Sequence, residues 1–325
     1  QIGLGSRSVE EFFSTVEWLY FNMLIPVLHK SPKADVYYLH SFQQFPAVYL
    51  LCRKHKAHYI YDAHDYYAAE TRHSCNNKPL IKWLLLLLER QAVARADTLV
   101  TVNEGVAQLL KREFGRDFLV LYNYHDARLD VSVTQNIREL LNLSVQDFLI
   151  VSIGNNKEYL AIQNVFEAMT MLPDRVHLAF VGRGYETCLE EIYSKELENR
   201  VHLIGQRKSN EIVPFIKAAD LSLILYFSSY DFINVSLPNK FFMSIAAELP
   251  MLFPDLPEMR QIADLYTIGV QIDPLFPITI KEAVLMLYHS PKRLEECKKS
   301  LSHASLALNW ENEEHILYDI IKQTF

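Results

Sequence analysis

The alternation of short strand patterns with longer helical patterns is the feature that most constrains this chain. Runs rich in β-branched and aromatic residues are separated by segments with helical spacing. The candidate strands are Asp35–Leu39, His58–Tyr61, Thr98–Val102, Phe118–Tyr122, Phe148–Ile153, His177–Val181, Val201–Ile204, Leu221–Leu225, Pro250–Phe253 and Gly269–Ile272. Strands that alternate with crossover helices predict an α/β fold, with parallel sheets that carry helices on both faces.

The length of the chain predicts more than one domain. At 325 residues it exceeds one ordinary core, and a single open sheet holding all these strands would be unusual. The polar stretch 126–146 lacks a convincing strand and marks the break. We therefore expect a doubly wound α/β domain at 1–125, a second one at 126–305, and a terminal helix at 306–325 that packs back across the domains.

Charge and cysteine content exclude several classes of protein. The net charge of −7 argues against a nucleic-acid binder. The four cysteines form no CxxC pair, which excludes a zinc ribbon and fits a reducing compartment. We therefore expect a cytoplasmic protein. Peripheral contact with the inner face of the membrane stays open, because Lys78–Arg90 combines lysines, a tryptophan and a leucine run, although we favour a buried core helix there.

The N-terminal segment predicts an incomplete first domain. A doubly wound nucleotide-type domain usually opens with a strand, a glycine turn and a helix. Here Val9–Leu28 reads instead as one helix that is apolar nearly all round, and such a helix needs burial on several faces. We expect the opening strands to be lacking and part of this helix to be exposed.

Glycines mark the ends of several candidate strands in the second half of a chain that has only nine. They are Gly154, Gly182, Gly184 and Gly205. In an open α/β sheet, ligands bind beyond the carboxyl ends of the strands. Gly154 with Lys157 predicts a diphosphate contact made by backbone N–H groups at a helix start and by one cation. Ordinary turns are the alternative for each glycine.

The segment Ser236–Phe242 places a lysine beside a predicted helix N-terminus. Pro238 suits the first turn of a helix, and Lys240 follows within that turn. The helix dipole and the ammonium group together suit a phosphate. A solvent-exposed lysine without a ligand is the alternative.

The segment Tyr61–Glu70 brings polar residues to the end of a buried strand. His64 and Asp65 would then face an interdomain cleft, where His64 could hydrogen-bond a sugar hydroxyl or a leaving group. A histidine that caps the next turn is the alternative. The spacing of His73 and Cys75 matches no familiar zinc site, and no Asp-x-Asp motif occurs, so we expect no metal.

Motifs of other enzyme classes do not occur. The chain has no Gly-x-Ser-x-Gly nucleophile elbow, no P-loop and no Gly-x-Gly-x-x-Gly fingerprint. This disfavours a serine hydrolase, a kinase and a dehydrogenase.

The order of these motifs resembles GT-B glycosyltransferases of the large retaining family 4. The resemblance runs from Asp35 to the C-terminus and rests on the segments YIYDAHDYYAAE, ADTLVTVNEGVAQLL, SIGNNKEYL, HLAFVGRGYE, VHLIGQ and SLPNKFFMSIAAELPM. The subgroup resembled is the bacterial type that builds capsule, O-antigen or exopolysaccharide.

The resemblance implies two facing Rossmann-like domains, with the nucleotide-sugar held mainly by the second. It implies His64 and Lys240 as catalytic residues, with His40 and Asp65 on the acceptor side. The donor-binding residues that it implies are Gly154, Lys157, Gly182, Arg183, Gly205, Asn239, Lys240 and Met243. Retaining members of the family need no protein nucleophile, so electrostatic support of the departing diphosphate would be the main catalytic effect.

The activity implied is transfer of a sugar, with retention, from a nucleotide-diphosphate sugar to a glycan or lipid-linked acceptor in surface-polysaccharide synthesis. The nucleotide-sugar is a co-substrate, and no cofactor, metal or nucleic-acid partner is expected. A sugar-nucleotide epimerase of the same architecture is a further interpretation, but no residue distinguishes it.

Three positions depart from the family pattern. Where Met243 stands, the family usually has a glutamate that binds the ribose of the nucleotide. A thioether cannot accept strong hydrogen bonds from the ribose hydroxyls, so donor binding is expected to weaken by on the order of 1–3 kcal/mol. Glu248 stands where glycine is usual, and Ser41 replaces a frequent aspartate. The family's opening strands and their glycine loop are also expected to be lacking. These departures keep open an alternative, a catalytically impaired glycosyltransferase-like fragment or partner subunit.

Overall fold

The computed structural model describes residues 6–227 and 230–324, with side chains from residue 10 onward except that of Asp231. Phe325, the last residue of the predicted terminal helix, lies outside the described residues. The chain divides into two compact units. Unit 1 is Gln1–Tyr122 with Glu314–Phe325, and unit 2 is Asn123–Glu313.

Unit 1 contains a four-stranded parallel sheet with the order β1-β2-β3-β4. Its strands are β1 Val36–Leu39, β2 His58–Ala63, β3 Thr98–Thr101 and β4 Leu119–Val120. Its helices are α1 Ser6–Leu19, α2 Ile25–Lys30, α3 Phe45–His55, α4 Tyr67–Ser74, α5 Pro79–Arg95 and α6 Glu104–Phe114.

Unit 2 contains a six-stranded parallel sheet with the order β10-β9-β8-β5-β6-β7. Its strands are β5 Phe148–Ile153, β6 Val176–Val181, β7 Val201–Ile204, β8 Leu221–Leu223, β9 Met251–Pro254 and β10 Gly269–Ile272. Its helices are α7 Ile137–Leu140, α8 Ile162–Thr170, α9 Leu189–Ser194, α10 Ser209–Ile216, α11 Asp231–Asn234, α12 Asn239–Ala246, α13 Pro257–Leu265, α14 Pro277–Tyr288 and α15 Pro291–Ala307. The helix α16, Trp310–Thr324, begins in unit 2 and ends in unit 1. The predicted α/β class with parallel sheets and flanking helices is confirmed.

Strand β5 shows why the sheet of unit 2 is covered on both faces. All six of its residues are buried. Phe148 and Ile150 belong to one apolar cluster, whereas Leu149 and Val151 belong to another. Because successive side chains of a strand point to opposite faces, the two clusters lie on the two sides of the sheet. Burying each large side chain contributes about 1.5–3 kcal/mol.

The predicted single helix Val9–Leu28 is interrupted. A π-helical turn, Tyr20–Leu24, lies between α1 and α2. Pro26 stands in the first turn of α2 and lacks the N–H that would bond back to residue 22, so the regular hydrogen-bond ladder breaks there. Phe13, Trp18 and Phe21 on this segment are exposed.

Helix α5 carries both buried and exposed apolar residues. Ile81, Ala92 and Val93 are buried, while Trp83 and Leu87 are exposed, so the expected core helix is buried on one side only. Among the residues that the structure describes, no helix has the length and apolarity to cross a bilayer.

Candidate functional site

Two glycines shape the carboxyl ends of β5 and β6 in unit 2. Gly154 follows β5 with φ of +103°, a conformation that side chains rarely adopt. Gly182 follows β6, and a Cβ atom built there would lie 2.2 Å from the Gly154 carbonyl oxygen. The Tyr185 hydroxyl donates a hydrogen bond to the same oxygen at 3.0 Å. This approach of backbone to backbone requires glycine at position 182.

The helix predicted over 160–171 is present, but Gly154 and Lys157 lie before its first turn. Helix α8 begins only at Ile162, and residues 155–161 form no helix. The Gly154 and Asn156 amides donate instead to the carbonyls of Val181 and Arg183, each at 2.9 Å. These two amides hold the strand ends together, so neither of them is available to an anion beside Gly154.

Lys240 supplies a cation next to this turn. It is the second residue of α12, directly after the Pro238 cap and Asn239. A Cβ atom built on Gly154 would lie 3.3 Å from both Cε and Nζ of Lys240, so the lysine side chain covers the glycine. The Lys240 ammonium also lies 5.0 Å from the ring centre of Tyr226, within the range of a cation–π contact.

A second lysine reaches the same aromatic group. The Lys157 ammonium lies 5.3 Å from the ring centre of Tyr159, and the rings of Tyr159 and Tyr226 pack edge to face at 5.5 Å. The two lysines thus contact adjacent rings of one aromatic pair. The structure thus brings Gly154 and Lys157, the two residues of the predicted diphosphate loop, together with Lys240.

The electrostatics at Lys240 are unbalanced. Within the described part of the chain, no carboxylate forms an ion pair with it. Burial and, to a smaller extent, the nearby Lys157 charge together lower the pKa of Lys240 to about 8. A half-buried cation without a carboxylate partner is unfavourable, and an anionic ligand would offset that cost.

A pocket of about 360 Å³ lies beside this group, large enough for part of a nucleotide. It is lined by Asn156, Lys157, Glu158, Leu160, Ile162, Gln163, Gly184 and Thr187. Asn156 donates to the Gly184 carbonyl at 3.0 Å, which joins the loop after β5 to the loop after β6. Sequence reasoning missed Asn156 and Thr187, as well as the aromatic pair Tyr159 and Tyr226.

The other residues expected to bind the donor also lie at the ends of strands or helices in unit 2. Arg183, Gly205 and Asn239 are exposed. Met243 lies one helical turn after Lys240 and packs against the apolar cluster that includes Val181 and Ile204.

Glu248, the residue that replaces the usual glycine, has φ of +56°, so the left-handed conformation is kept at a cost. Its carboxylate lies 3.8 Å from the Lys217 ammonium.

A second polar cluster lies in unit 1, at the carboxyl ends of β1 and β2. His40 Nδ1 and His64 Nε2 are 2.8 Å apart. Asp62 Oδ2 lies 3.5 Å from His40 Nδ1 and 3.3 Å from His64 Nε2, and it accepts a hydrogen bond from the Tyr38 hydroxyl at 3.1 Å. The pairing of Leu39 with Tyr61 sets this register, so His40, the residue after β1, stands level with Asp62 near the end of β2.

Asp62 is the electrostatic centre of this cluster. Burial raises the pKa of Asp62, but hydrogen bonds from His40 and His64 outweigh it and hold that pKa at about 2. The hydrogen bond to Asp62 raises the pKa of His64 above its usual value, although burial opposes it. Sequence reasoning named His40 and His64 but missed Asp62, and the expected Asp65 is exposed on the next bend and is not one of the three clustered residues.

Comparisons with known proteins follow the same division of the chain. A family model described as glycosyl transferase 4-like domain matches residues 13–123. A second, described as glycosyl transferases group 1, matches residues 133–301, which is more than half of the chain. A sequence search of curated proteins found no match.

Solved structures of low sequence identity share the fold. Sucrose-phosphate synthase from Thermosynechococcus elongatus has a TM-score of 0.74 at 14% identity, covering 96% of this chain and 78% of that one. Anabaena HepE, solved with UDP and glucose, has a TM-score of 0.68 at 15% identity, covering 89% and 78%. The pneumococcal O-GlcNAc transferase GtfA, solved with UDP and GlcNAc, has a TM-score of 0.63 at 14% identity, covering 96% and 60%.

Proposed function

Because the chain belongs to the glycosyl transferases group 1 family, we propose that it transfers a sugar from a nucleoside diphosphate sugar to a glycan or lipid-linked acceptor. The parallel sheets and flanking helices of its two units are those of GT-B glycosyltransferases. Retention of configuration and a role in surface-polysaccharide synthesis are part of the proposal. It further places the protein in the cytoplasm, where a nucleotide-sugar is available.

The observation that carries the proposal is Lys240 over the Gly154 turn. This ammonium is held by a glycine and an aromatic ring, without a carboxylate among the described residues. A diphosphate carries negative charge on several hydrogen-bond acceptor oxygens, so it fits such a cation better than a neutral ligand does. Two of the fold relatives were solved with UDP, which supports a uridine nucleotide as the first candidate.

In the proposed mechanism, the bond between the sugar and the diphosphate breaks on the donor side. Lys240 and Lys157 stabilise the negative charge that develops on the departing diphosphate. The acceptor hydroxyl attacks from the face that the diphosphate leaves and gives its proton to the departing phosphate oxygen. This route retains configuration and needs no protein nucleophile. The leaving group is charge-stabilised by lysines, so the proposal includes no metal cofactor for the transfer.

Residues of unit 1 serve the sugar and the acceptor in this proposal. His64 hydrogen-bonds a hydroxyl of the transferred sugar and orients it, while His40 and Asp65 serve the acceptor side. Gly205, Arg183 and Asn239 line the nucleotide end of the donor site together with Met243. Peripheral membrane contact would fit a lipid-linked acceptor, since Trp83 and Leu87 are exposed on α5.

Isothermal titration of the whole chain with UDP, GDP and ADP tests the proposal. We expect one of the three to bind, and Lys240→Met to weaken that binding about 10–100-fold, because a charge-assisted hydrogen bond contributes about 1.5–3 kcal/mol. Lys217→Met is the matched control, since this exposed lysine contacts Glu248 and not the Gly154 turn. No binding of any nucleotide, or equal loss in both variants, contradicts the proposal.

A catalytically impaired glycosyltransferase-like protein is the second candidate. Met243 favours it, because a thioether on the apolar cluster offers no strong acceptor for ribose hydroxyls. This candidate predicts nucleotide binding without detectable sugar transfer, so a transfer assay with UDP-sugars separates the two.

A further inference from the structure

Two imidazole nitrogens and one carboxylate oxygen converge in unit 1. The three atoms, His40 Nδ1, Asp62 Oδ2 and His64 Nε2, are separated by 2.8, 3.3 and 3.5 Å. Among the side chains that the structure describes, this is the one group of three His, Cys, Asp or Glu residues whose ligand atoms all lie within 4.8 Å of one another.

The two separations that involve Asp62, 3.3 and 3.5 Å, match the edges of a coordination tetrahedron. Zinc binds nitrogen at about 2.0–2.1 Å and carboxylate oxygen at about 2.0–2.2 Å, so tetrahedral ligand atoms lie about 3.3–3.5 Å apart. A cation can therefore reach all three atoms with only a small widening between the two imidazoles. We propose that His40, Asp62 and His64 bind one divalent d-block cation such as zinc, with a fourth position open to solvent beside the exposed His40.

The ligands stand on a rigid frame. Asp62 lies inside β2 and is buried, and His40 and His64 directly follow the ends of the paired strands β1 and β2. The Tyr38 hydroxyl donates to Asp62 at 3.1 Å and fixes the orientation of the carboxylate. Groups of this outer kind orient metal ligands and typically change affinity about 10–100-fold when they are removed.

The donor set selects the class of cation. Imidazole suits zinc, copper and nickel, whereas magnesium and calcium prefer oxygen ligands throughout. A site with two nitrogens and one carboxylate oxygen therefore discriminates against both alkaline-earth ions.

A zinc ion bound at this site would change the role of His64. A cation on Nε2 removes that nitrogen from hydrogen bonding, so zinc would inhibit sugar transfer. This consequence rests on the proposed function of His64, whereas the binding of zinc does not.

Zinc and cobalt titrations of the full chain test the site. We expect one zinc per chain, measured by competition with a chromophoric chelator, and a visible absorption band of tetrahedral cobalt(II). His40→Ala and Asp62→Asn should each lower zinc affinity at least about 100-fold, and Tyr38→Phe about tenfold. Magnesium and calcium should not compete.

His73→Ala is the matched control, because this exposed histidine of unit 1 lies near Cys75 outside the cluster. It should leave zinc affinity unchanged. Loss of binding in His73→Ala, or unchanged binding in His40→Ala, overturns the site, and so does the absence of binding in the unsubstituted chain. Circular dichroism checks that each variant is folded, and His40→Gln, at an exposed position, provides a second variant.

The failure of this proposal is distinguishable from failure of the proposed function. A chain that binds UDP but no zinc contradicts only the metal site. A chain that binds zinc at these residues but no nucleotide contradicts only the glycosyltransfer proposal.

Discussion

The two units use the same edge of a parallel sheet in opposite ways. At the ends of β1 and β2, side chains gather around the carboxylate of Asp62. At the ends of β5 and β6, close-packed glycine backbone forms the surface, and the charge is the ammonium of Lys240 over an aromatic ring. In our proposals, the first arrangement binds a cation and the second binds an anion.

The difference shows how the surroundings of a charge decide its use. The Asp62 carboxylate has partners, so its pKa falls to about 2 and its charge is stable. Lys240 has no carboxylate partner among the described residues, and burial lowers its pKa to about 8. A charged group such as Lys240, left without such a partner in the described ranges, can bind a ligand of opposite charge.

Gly182→Ala should break the backbone-built site of unit 2. The new Cβ would meet the Gly154 carbonyl at 2.2 Å, so two strand ends must move apart. We expect a loss of about 3 kcal/mol or more of stability. Gly205→Ala is the control, since nothing lies within 4 Å of a Cβ built there. Chemical denaturation measures both, and equal stability of the two variants would disprove the close approach.

Glu89→Gln should sharpen the contrast within unit 1, where Glu89 lacks the partners that Asp62 has. Neither Glu89 oxygen has a hydrogen-bond partner among the described residues, and burial raises its pKa from 4.5 to about 8. The folded chain then keeps a proton that the unfolded chain releases, so stability falls as pH rises from 4.5 to about 8. The neutral glutamine removes this loss.

The expected gain from Glu89→Gln is about 2–3 kcal/mol at pH 7 and close to zero near pH 4.5. Thermal unfolding across this range measures it. A constant difference between the two proteins at every pH would show that Glu89 is not the titrating group.

Met243→Glu should add a carboxylate acceptor to the proposed anion-binding site of unit 2. The cluster in unit 1 already has such an acceptor in Asp62. A carboxylate one turn after Lys240 could accept hydrogen bonds from ribose hydroxyls, which should raise UDP affinity about tenfold. Met243→Leu keeps the apolar packing and should leave affinity unchanged. If titration finds no gain for Met243→Glu over Met243→Leu, the argument from this position fails.

Glu248→Gly and Lys56→Gly compare the same backbone conformation in the two units. Both residues follow the end of a helix, and each has a φ of +56°. Glycine adopts this conformation without strain, so each change should stabilise by about 0.5–1 kcal/mol. The exposed contact of Glu248 with Lys217 offsets little of that gain. Unequal shifts in melting temperature beyond this range would point to the ion pair instead.

Much of the fold could be predicted from the sequence because strand and helix periods differ. The strands β5, β7 and β10 have the predicted bounds, since each is short and set off by polar or glycine residues. The π turn before Pro26 could not be predicted, because it depends on how one missing hydrogen bond is accommodated. Helix α15 is also absent from the predicted elements, since its apolar residues are sparse.

The site was only partly predictable for a similar reason. Strand-end glycines and Lys240 stand out in the sequence, but the contact between Lys240 and Gly154 joins distant segments. Asp62 was missed although it lies two residues before His64, a spacing that puts both on the same side of an extended chain. That spacing is the signal that could have found it.

The assignment of Glu314–Phe325 to unit 1 makes unit 2 an insertion in unit 1. The chain passes between the units twice, and the Thr324 hydroxyl bonds that of Thr98 at 2.8 Å at the far end of α16. A protease cut between Tyr122 and Asn123 would therefore leave unit 2 tethered through this segment. Separation of the cut pieces then requires the end of α16 to leave unit 1, a step that its noncovalent contacts there oppose.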